Sequence, residues 1–405
     1  MDILYVSELC SNEVNKKIMQ SYPIKSGQES QKMHYLFTAG LKENDCKVSC
    51  LSILGMNRKL SKKLFFNLED DHYEGIDFTY VSFINLSLIR QLCIMFGVFF
   101  NIIIWTLKHR KNRVIICDVL NFSALVGCIV SSKVKGCKVI GIAPDIPTFR
   151  VGSLYSRGIK GLFFKIYNTV NLFFSRCCDA FILITEQMGT IINRQNKPSI
   201  VIEGQVDHRM TGRDNYLNNK YERKVCHYAG GLLKIYGLEI LVKGFIKANL
   251  PNTELHIYGG GSYENELKDI VSQNKNIKFF GYVSNEIVVN EQLKSTLLIN
   301  PRPTNEEYTK YSFPSKNMEY MVSGTPVLTT NLPGMPGEYA EYVYVIEDES
   351  EDGIKDSLCR ILSKSPEDLH NKGLRAKEFV LREKNNVVQA KKIIKLAKNI
   401  IKENR

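Results

Sequence analysis

The sequence predicts two doubly wound α/β domains, each built on a mainly parallel sheet, and three observations carry that expectation. Short apolar runs rich in β-branched and aromatic residues alternate with helix-period segments from start to finish, the pattern of βαβ units. Those runs are continuously apolar rather than alternating, as strands covered on both faces are. A chain of 405 residues also exceeds one such domain, about two to three domains being usual for that length.

The strand candidates of the first half are DILYVSE, CKVSCLSI, FTYVSFI, RVIICD, KVIGIAP and AFILIT. Those of the second are KVCHYAG, ELHIYG, IKFFG, TLLINP, PVLTT and YVYVIE. Between them residues 205–221, QVDHRMTGRDNYLNNKY, are polar and turn-rich without an apolar period, as a linker is. The expected organisation is a first domain over 1–205, a linker over 206–221, a second domain over 222–385 and a basic helix over 386–405. In open parallel sheets ligands bind beyond the carboxyl ends of the strands, so chemistry is sought in the loops that follow strands and open helices.

Composition narrows the class. A hydrophobic fraction of 44% and a charged fraction of 24% exclude a disordered or collagen-like chain. The 11 cysteines are odd in number and form no C-x-x-C pair, which argues for reduced, mostly buried thiols in a cytoplasmic protein rather than a disulfide framework or zinc ribbon. The opening MDILYVSE reads as a strand and not a signal peptide. Charge is uneven: residues 1–205 hold 25 Lys and Arg against 16 Asp and Glu, and residues 384–405 hold seven against one. The middle, 206–383, is slightly acidic. Such a distribution suggests an anionic partner for one part of the molecule only, nucleic acid and an anionic membrane surface being the usual candidates.

Two segments bear on a membrane. Residues 92–107, LCIMFGVFFNIIIWTL, are the strongest apolar run, short of the roughly 20 residues a spanning helix needs and basic at both ends. They read as a helix buried in the first domain or partly dipped into a membrane. Residues 157–176 are amphipathic, with Leu162, Phe163, Ile166, Val170, Phe173 and Phe174 along one side; this suits either an interfacial helix or ordinary core packing.

The most informative loop follows TLLINP. There Pro314 suits a first helical turn, Ser312 or Ser315 can cap it, and Gly324 suits the residue past the helix end. A short helix is therefore predicted from about Pro314 to Ser323. Its free N–H groups and positive dipole end form a ready anion site. Lys316 adds a full charge in that turn, and Glu319 lies three residues on along the same face. A cation for phosphate beside a carboxylate for sugar hydroxyls is equipment for a nucleoside diphosphate; a capped helix with a surface ion pair is the plain alternative.

The string PSKNMEYMVSGTPVL, preceded by LLINPRP and followed by NLPGMPGEY, resembles the donor-binding segment of retaining GT-B glycosyltransferases of the GT4 family, glycosyltransferase group 1, in the style of bacterial capsule, exopolysaccharide and O-antigen enzymes. YAGGLLKIYGLEILVKGF resembles the first strand, phosphate loop and helix of that family's nucleotide domain, and ELHIYGGGSYENEL and IKFFGYVS follow in order. In the first half KSGQESQKMHYLFTAGLKENDCKV and GIAPDIPTF are weaker likenesses. The resemblance implies a GT-B fold: two Rossmann-like domains facing across a cleft, with the C-terminal helix returning to the first. It implies transfer, with retention, of a sugar from a nucleotide donor, expected to be UDP-linked, to a lipid-linked saccharide on the inner face of the plasma membrane. Nucleic acid has no place in that reading.

Residue by residue, Glu319 would bind the ribose and Lys316 would meet phosphate. Ser312, Phe313 and Pro314 would contact the donor, Gly259, Gly260, Tyr282 and Val283 would surround the base, and Gly27 would let the N-terminal loop approach. Asp145 would point at the donor or acceptor sugar. The catalytic candidates are thus Lys316, Lys234 and Asp145. The family pattern has a first glutamate where Tyr311 stands, and Tyr311, Glu306 or Glu307 would take over its sugar contacts. Its phosphate-loop Arg and Lys fall at Gly231 and Tyr236, leaving Lys234 as the cation of that loop, and its His before the Asp is Pro144. His34 and His227 read as structural. Without an Asp-x-Asp motif no required metal and no cofactor are expected, the charge on the leaving diphosphate being met by Lys316, Lys234 and the helix N-terminus, a donor of that kind being worth about 3–4 kcal/mol. A sugar-nucleotide 2-epimerase of the same fold and a catalytically silent accessory subunit are the alternatives.

Overall fold

The computed structural model describes residues 1–22, 28–147 and 158–402. The chain forms two compact units, Met1–Glu203 with Asn386–Arg405, and Gly204–Asn385.

The strands of the first unit are β1 (Asp2–Ser7), β2 (Lys47–Ser52), β3 (Phe65–Phe66), β4 (Asp71–Tyr73), β5 (Ile76–Tyr80), β6 (Phe83–Ile84), β7 (Arg113–Asp118), β8 (Lys138–Ala143), β9 (Ala180–Leu183) and β10 (Ser199–Val201). Among the described residues eight of them join one sheet in the order β10-β9-β8-β7-β1-β2-β5-β4. The pairing is parallel except at the β4–β5 edge. The run FTYVSFI divides: Phe83 and Ile84 leave the sheet and pair with Phe65 and Phe66, where Phe83 stacks on Phe66 at 5.2 Å.

The helices of this unit include α1 (Asn12–Ser21), α2 (Gln28–Glu43), α3 (Ser87–Lys108), α4 (Phe122–Lys135), α5 (Gly158–Ser175) and the single turn α6 (Gly189–Ile192). The strong apolar run sits in α3, which buries Ile94, Val98, Ile102 and Trp105 and leaves its other side outward. Gly127 of α4 permits close approach to α3, since a Cβ there would stand 2.7 Å from the Met95 carbonyl oxygen.

The second unit is a parallel six-stranded sheet in the order β13-β12-β11-β14-β15-β16. Its elements follow in sequence as β11 (Lys224–Ala229), α7 (Leu238–Ala248), β12 (Thr253–Tyr258), α8 (Glu264–Gln273), β13 (Ile277–Gly281), α9 (Asn285–Lys294), β14 (Leu297–Asn300), α10 (Ser315–Ser323), β15 (Val327–Thr330), β16 (Tyr344–Ile346), α11 (Glu351–Leu362) and α12 (Pro366–Glu383). Leu241, Val242 and Phe245 of α7 pack with Ile354 and Leu358 of α11 over Leu255, Ile257 and Ile299 of the sheet.

One expectation changes. The polar stretch read as a linker packs into the second unit: the Asn215 amide donates to the Ser323 carbonyl at 2.8 Å and to Thr325 Oγ1 at 3.0 Å, and Lys220 Nζ donates to the Leu293 carbonyl at 2.8 Å. Asn and Lys donors, which read as solvent-exposed in a sequence, here satisfy helix-end carbonyls and a threonine hydroxyl. The last helix, α13 (Asn386–Lys402), joins the first unit, where Asn44 donates to the Val387 carbonyl at 2.9 Å. It lies over β7 and β8, the strands that α4 also covers. A helix is about 10 Å wide and strands are about 4.8 Å apart, so α13 and α4 occupy opposite faces. The exposed Lys391, Lys395, Lys398 and Lys402 therefore do not share a face with α3 and α4.

Candidate functional site

The site is best built from α10 outward. Pro314 holds the cap position at ψ 86°, outside the helical range, so the helix starts at Ser315, and neither Ser312 nor Ser315 provides a side-chain cap. The Asn317 N–H turns back to the Pro314 carbonyl at 2.8 Å. Gly324 closes the other end at φ 77°, a left-handed conformation that suits glycine. Buried side chains clamp the helix on three strands. Asn317 accepts from Asn300 Nδ2 at 2.8 Å and donates to Thr329 Oγ1 at 3.1 Å, while the Tyr320 hydroxyl accepts from the Ala229 N–H at 2.9 Å.

That clamp sets Lys316 across the end of β11. Its ammonium lies 5.2 Å from the Tyr228 ring centroid and 5.9 Å from that of Tyr236, a cation–π arrangement. A Cβ at Gly230 would overlap that ammonium, so the glycine is what admits the lysine. Glu319 is half-buried one turn further along the same helix.

The neighbouring strand ends are laced together through their backbones. The Gly230 N–H donates to the Tyr258 carbonyl at 3.0 Å, that of Leu232 to Gly260 at 3.0 Å, and that of Gly259 to Gly281 at 2.8 Å. A Cβ at Gly259 would overlap the Gly230 carbonyl oxygen, so the two loops touch only because that side chain is missing. Gly259 and Gly260 thus stand beside the loop that Lys316 crosses. Tyr282 is exposed and Val283 half-buried just beyond β13. Tyr311 ends the single 3-10 turn Glu307–Tyr311, with Glu306 and Glu307 exposed at its start. Phe313 is buried against Tyr339 at 5.2 Å, and Pro314 is buried beside it in sequence.

Lys234 has a different setting. Its ammonium pairs with Glu266 at 2.8 Å and Glu239 at 3.4 Å and lies 5.4 Å from the Tyr263 ring. The Glu266 hydrogen bond raises its pKa, with Glu239 adding to the effect. Two carboxylates thus answer a charge that the sequence reading left for phosphate. Arg302 was missed: its guanidinium lies 5.7 Å from the Tyr236 ring and 5.2 Å from that of Tyr308, so Tyr236 is shared between Arg302 and Lys316. The Arg302 Nε and the Ser312 hydroxyl are buried without a hydrogen-bond partner. The signal for Arg302 was its place directly after the strand TLLINP, at a carboxyl end.

Asp145 belongs to the first unit, just past β8, where its carboxylate accepts the Ile146 N–H at 2.7 Å. Gly27 lies outside the described residues. His34 is buried between the Tyr5 hydroxyl at 2.7 Å and Asp118 at 3.3 Å. His227 is buried against Tyr258, its ring nitrogens unpartnered, and burial, with a smaller contribution from His256, lowers its pKa to about 3. Both histidines sit in packed interiors. Among the described residues no group of three or more His, Cys, Asp or Glu is placed to hold a metal ion.

Two Rossmann-like parallel units, the first completed by the last helix, make this a GT-B fold. Within it residues 214–379 match the family described as glycosyl transferases group 1, so the second unit carries a glycosyltransferase group 1 domain. Solved structures similar to the chain include sucrose-phosphate synthase from Thermosynechococcus elongatus, at 14% identity and TM-score 0.67 over 100% of both chains. A glycosyltransferase from Rickettsia africae is similar at 16% identity and TM-score 0.65, over 99% of this chain and 98% of that one. HepE from Anabaena, solved in complex with UDP, is similar at 12% identity and TM-score 0.62, over 98% of this chain and 100% of that one. No curated protein matches the sequence.

Proposed function

We propose that the protein is a retaining glycosyltransferase that moves a sugar from a nucleotide donor, UDP-linked, to a lipid-linked saccharide in surface polysaccharide synthesis. The observation that carries this reading is the Lys316 ammonium lodged over Gly230 beside the first turn of α10, with Glu319 on the same helix. A helix N-terminus and a lysine suit a diphosphate, and a carboxylate suits ribose hydroxyls. HepE, of similar fold, is solved with UDP.

In the proposed reaction an acceptor hydroxyl attacks the anomeric carbon from the side on which the diphosphate leaves. The C–O bond to phosphate breaks as the new glycosidic bond forms, the hydroxyl proton passes to a departing phosphate oxygen, and the nucleoside diphosphate is released. Lys316 and the α10 amides stabilise the negative charge that grows on the diphosphate. Arg302, which shares Tyr236 with Lys316, adds a second positive group nearby. No resident metal or cofactor is required. The excess positive charge of residues 1–205 draws the protein to the inner face of the plasma membrane.

Incubation with a panel of nucleotide sugars tests the reading. Slow donor hydrolysis that releases the sugar with its anomeric configuration kept is the expected result. Inversion at the sugar C2 without release would point to an epimerase, and failure of every nucleotide sugar to bind or react would leave the accessory-subunit reading.

A further inference from the structure

The first unit carries an apolar outer surface that its own fold does not cover. On α3 the outward residues Leu88, Leu92, Phe96, Phe100, Ile104 and Leu107 are 52–80% exposed. They repeat every three or four residues, so they form one stripe along the helix, opposite Ile94, Val98 and Ile102. The most apolar window of this 22-residue helix is only 17% buried, unlike that of a core helix. Beside it α4 presents Val130 and Val134, and α5 presents Leu162, Phe163, Ile166 and Phe173, all exposed. The three helices are neighbours: Gly127 of α4 abuts α3, and Phe122 of α4 meets Tyr167 and Phe174 of α5 at 5.5 and 5.8 Å. Between α3 and α4 runs a groove of about 270 Å³ lined by Phe96, Phe99, Phe100, Val126 and Val130.

Charge identifies the occupant. None of α3, α4 and α5 contains an aspartate or glutamate, and residues 78–178 hold 13 Lys and Arg against two acids. Those two acids, Asp118 and Asp145, are buried and half-buried. Lys108 ends α3 and Arg110 and Lys111 follow it, Lys133 stands beside Val134, and Lys165 stands among the exposed apolar residues of α5, each of them exposed. A protein partner would be met by mixed charge; an apolar stripe bordered by cations alone matches an anionic lipid leaflet, with acyl chains against the stripe and headgroups against the lysines. Because α3 also packs its inner side on α4, it lies along the interface and does not span it.

We infer that the α3–α4–α5 face inserts into the outer part of an anionic phospholipid monolayer and is the membrane-docking surface of this protein. This rests on the membrane location proposed above and names the surface that produces it. The opposite-face lysines of α13 are secondary.

The test is flotation of the full chain with vesicles of phosphatidylcholine alone and with added phosphatidylglycerol. The wild type is expected to float with the anionic vesicles and to raise the pressure of a monolayer of the same lipid, which adsorption by charge alone does not do. The triple variant Phe96→Ser, Phe100→Ser, Ile104→Ser should lose binding by roughly tenfold or more, with the circular-dichroism spectrum and the thermal unfolding of the full chain unchanged as the check on folding. Changing Lys391, Lys395, Lys398 and Lys402 to Gln should leave most of the binding. If the serine variant binds like wild type while the glutamine variant does not, the membrane location stands and this surface is wrong. If wild type ignores both kinds of vesicle, both fall. A wild-type dimer that the serine variant turns into a monomer, without vesicle binding, assigns the face to a second copy and overturns the proposal.

Discussion

Helices α3 and α7 do the same work on their inner sides and opposite work on their outer sides. Each covers a parallel sheet unit with buried apolar residues, Ile94, Val98 and Ile102 in one, Leu241, Val242 and Phe245 in the other. Outward, α7 shows Lys243 paired with Glu239 at 2.8 Å and Lys247 paired with Asp352 at 2.7 Å, while α3 shows Phe96, Phe100 and Ile104. Exposed ion pairs of this kind are screened by solvent and contribute little, so the contrast concerns surroundings more than stability. The inner pattern of a helix reports the fold; the outer one reports what the helix faces. By that measure the outer side of α7 is dressed for water, whereas the outer side of α3 is apolar.

That division of labour can be broken most sharply at Lys316. Lys316→Ala should lower turnover by about two to three powers of ten while nucleotide affinity falls less, because the charge it meets grows as the diphosphate leaves. Gly230→Ala should reproduce part of this loss without touching the lysine itself, since its methyl displaces the ammonium; steady-state kinetics on both variants checks the pair. Next in size is Glu319→Gln, which replaces a charged acceptor by a neutral one and should weaken nucleotide binding by about 1.5–3 kcal/mol, read by calorimetry. Lys234→Ala should cost less than either, because Glu266 and Glu239 already answer its charge; a loss as large as that of Lys316→Ala would show the carboxylates release it on binding. None of these changes should alter vesicle binding.

A separate effect concerns folding. The folded-state pKa of His227 is lowered from 6.5 to about 3. Between those values the unfolded chain takes up a proton that the native ring refuses, so this residue's contribution to stability is lost as pH falls from 6.5 toward 3. His227→Phe should remove that dependence and leave stability at pH 7 nearly unchanged, since neither ring nitrogen has a partner to lose. Denaturant unfolding at pH 7 and pH 4 measures it, and an equally steep acid dependence in the variant would place the sensitivity elsewhere.

Much of the fold was legible because continuous apolar runs have few homes other than a doubly covered strand. The α10 helix, its Gly324 stop and the Lys316–Glu319 face were legible as well, since caps and i,i+3 spacing are local. Its start was not: Pro314 suits both a cap and a first turn, and only its ψ decides. Lys234 read as a lone cation because Glu266 lies 32 residues on, beyond any local spacing rule. The polar stretch around Asn215 and Lys220 read as a linker because hydrogen bonds to distant carbonyls leave no periodic trace. In α3 an apolar pattern on both sides hid which side the protein keeps, and only packing could assign it.

In the proposed reading α10 of the second unit holds a nucleoside diphosphate. The most direct measurement is calorimetric titration of UDP into the full chain and into its Glu319→Gln variant, each checked for unchanged secondary structure. Saturable binding by the wild type, weakened by about ten- to a hundredfold in the variant, is the result expected. Wild-type affinity in the Glu319→Gln protein, or no heat of binding in either, would contradict the account and leave α10 as a well-anchored helix without a ligand.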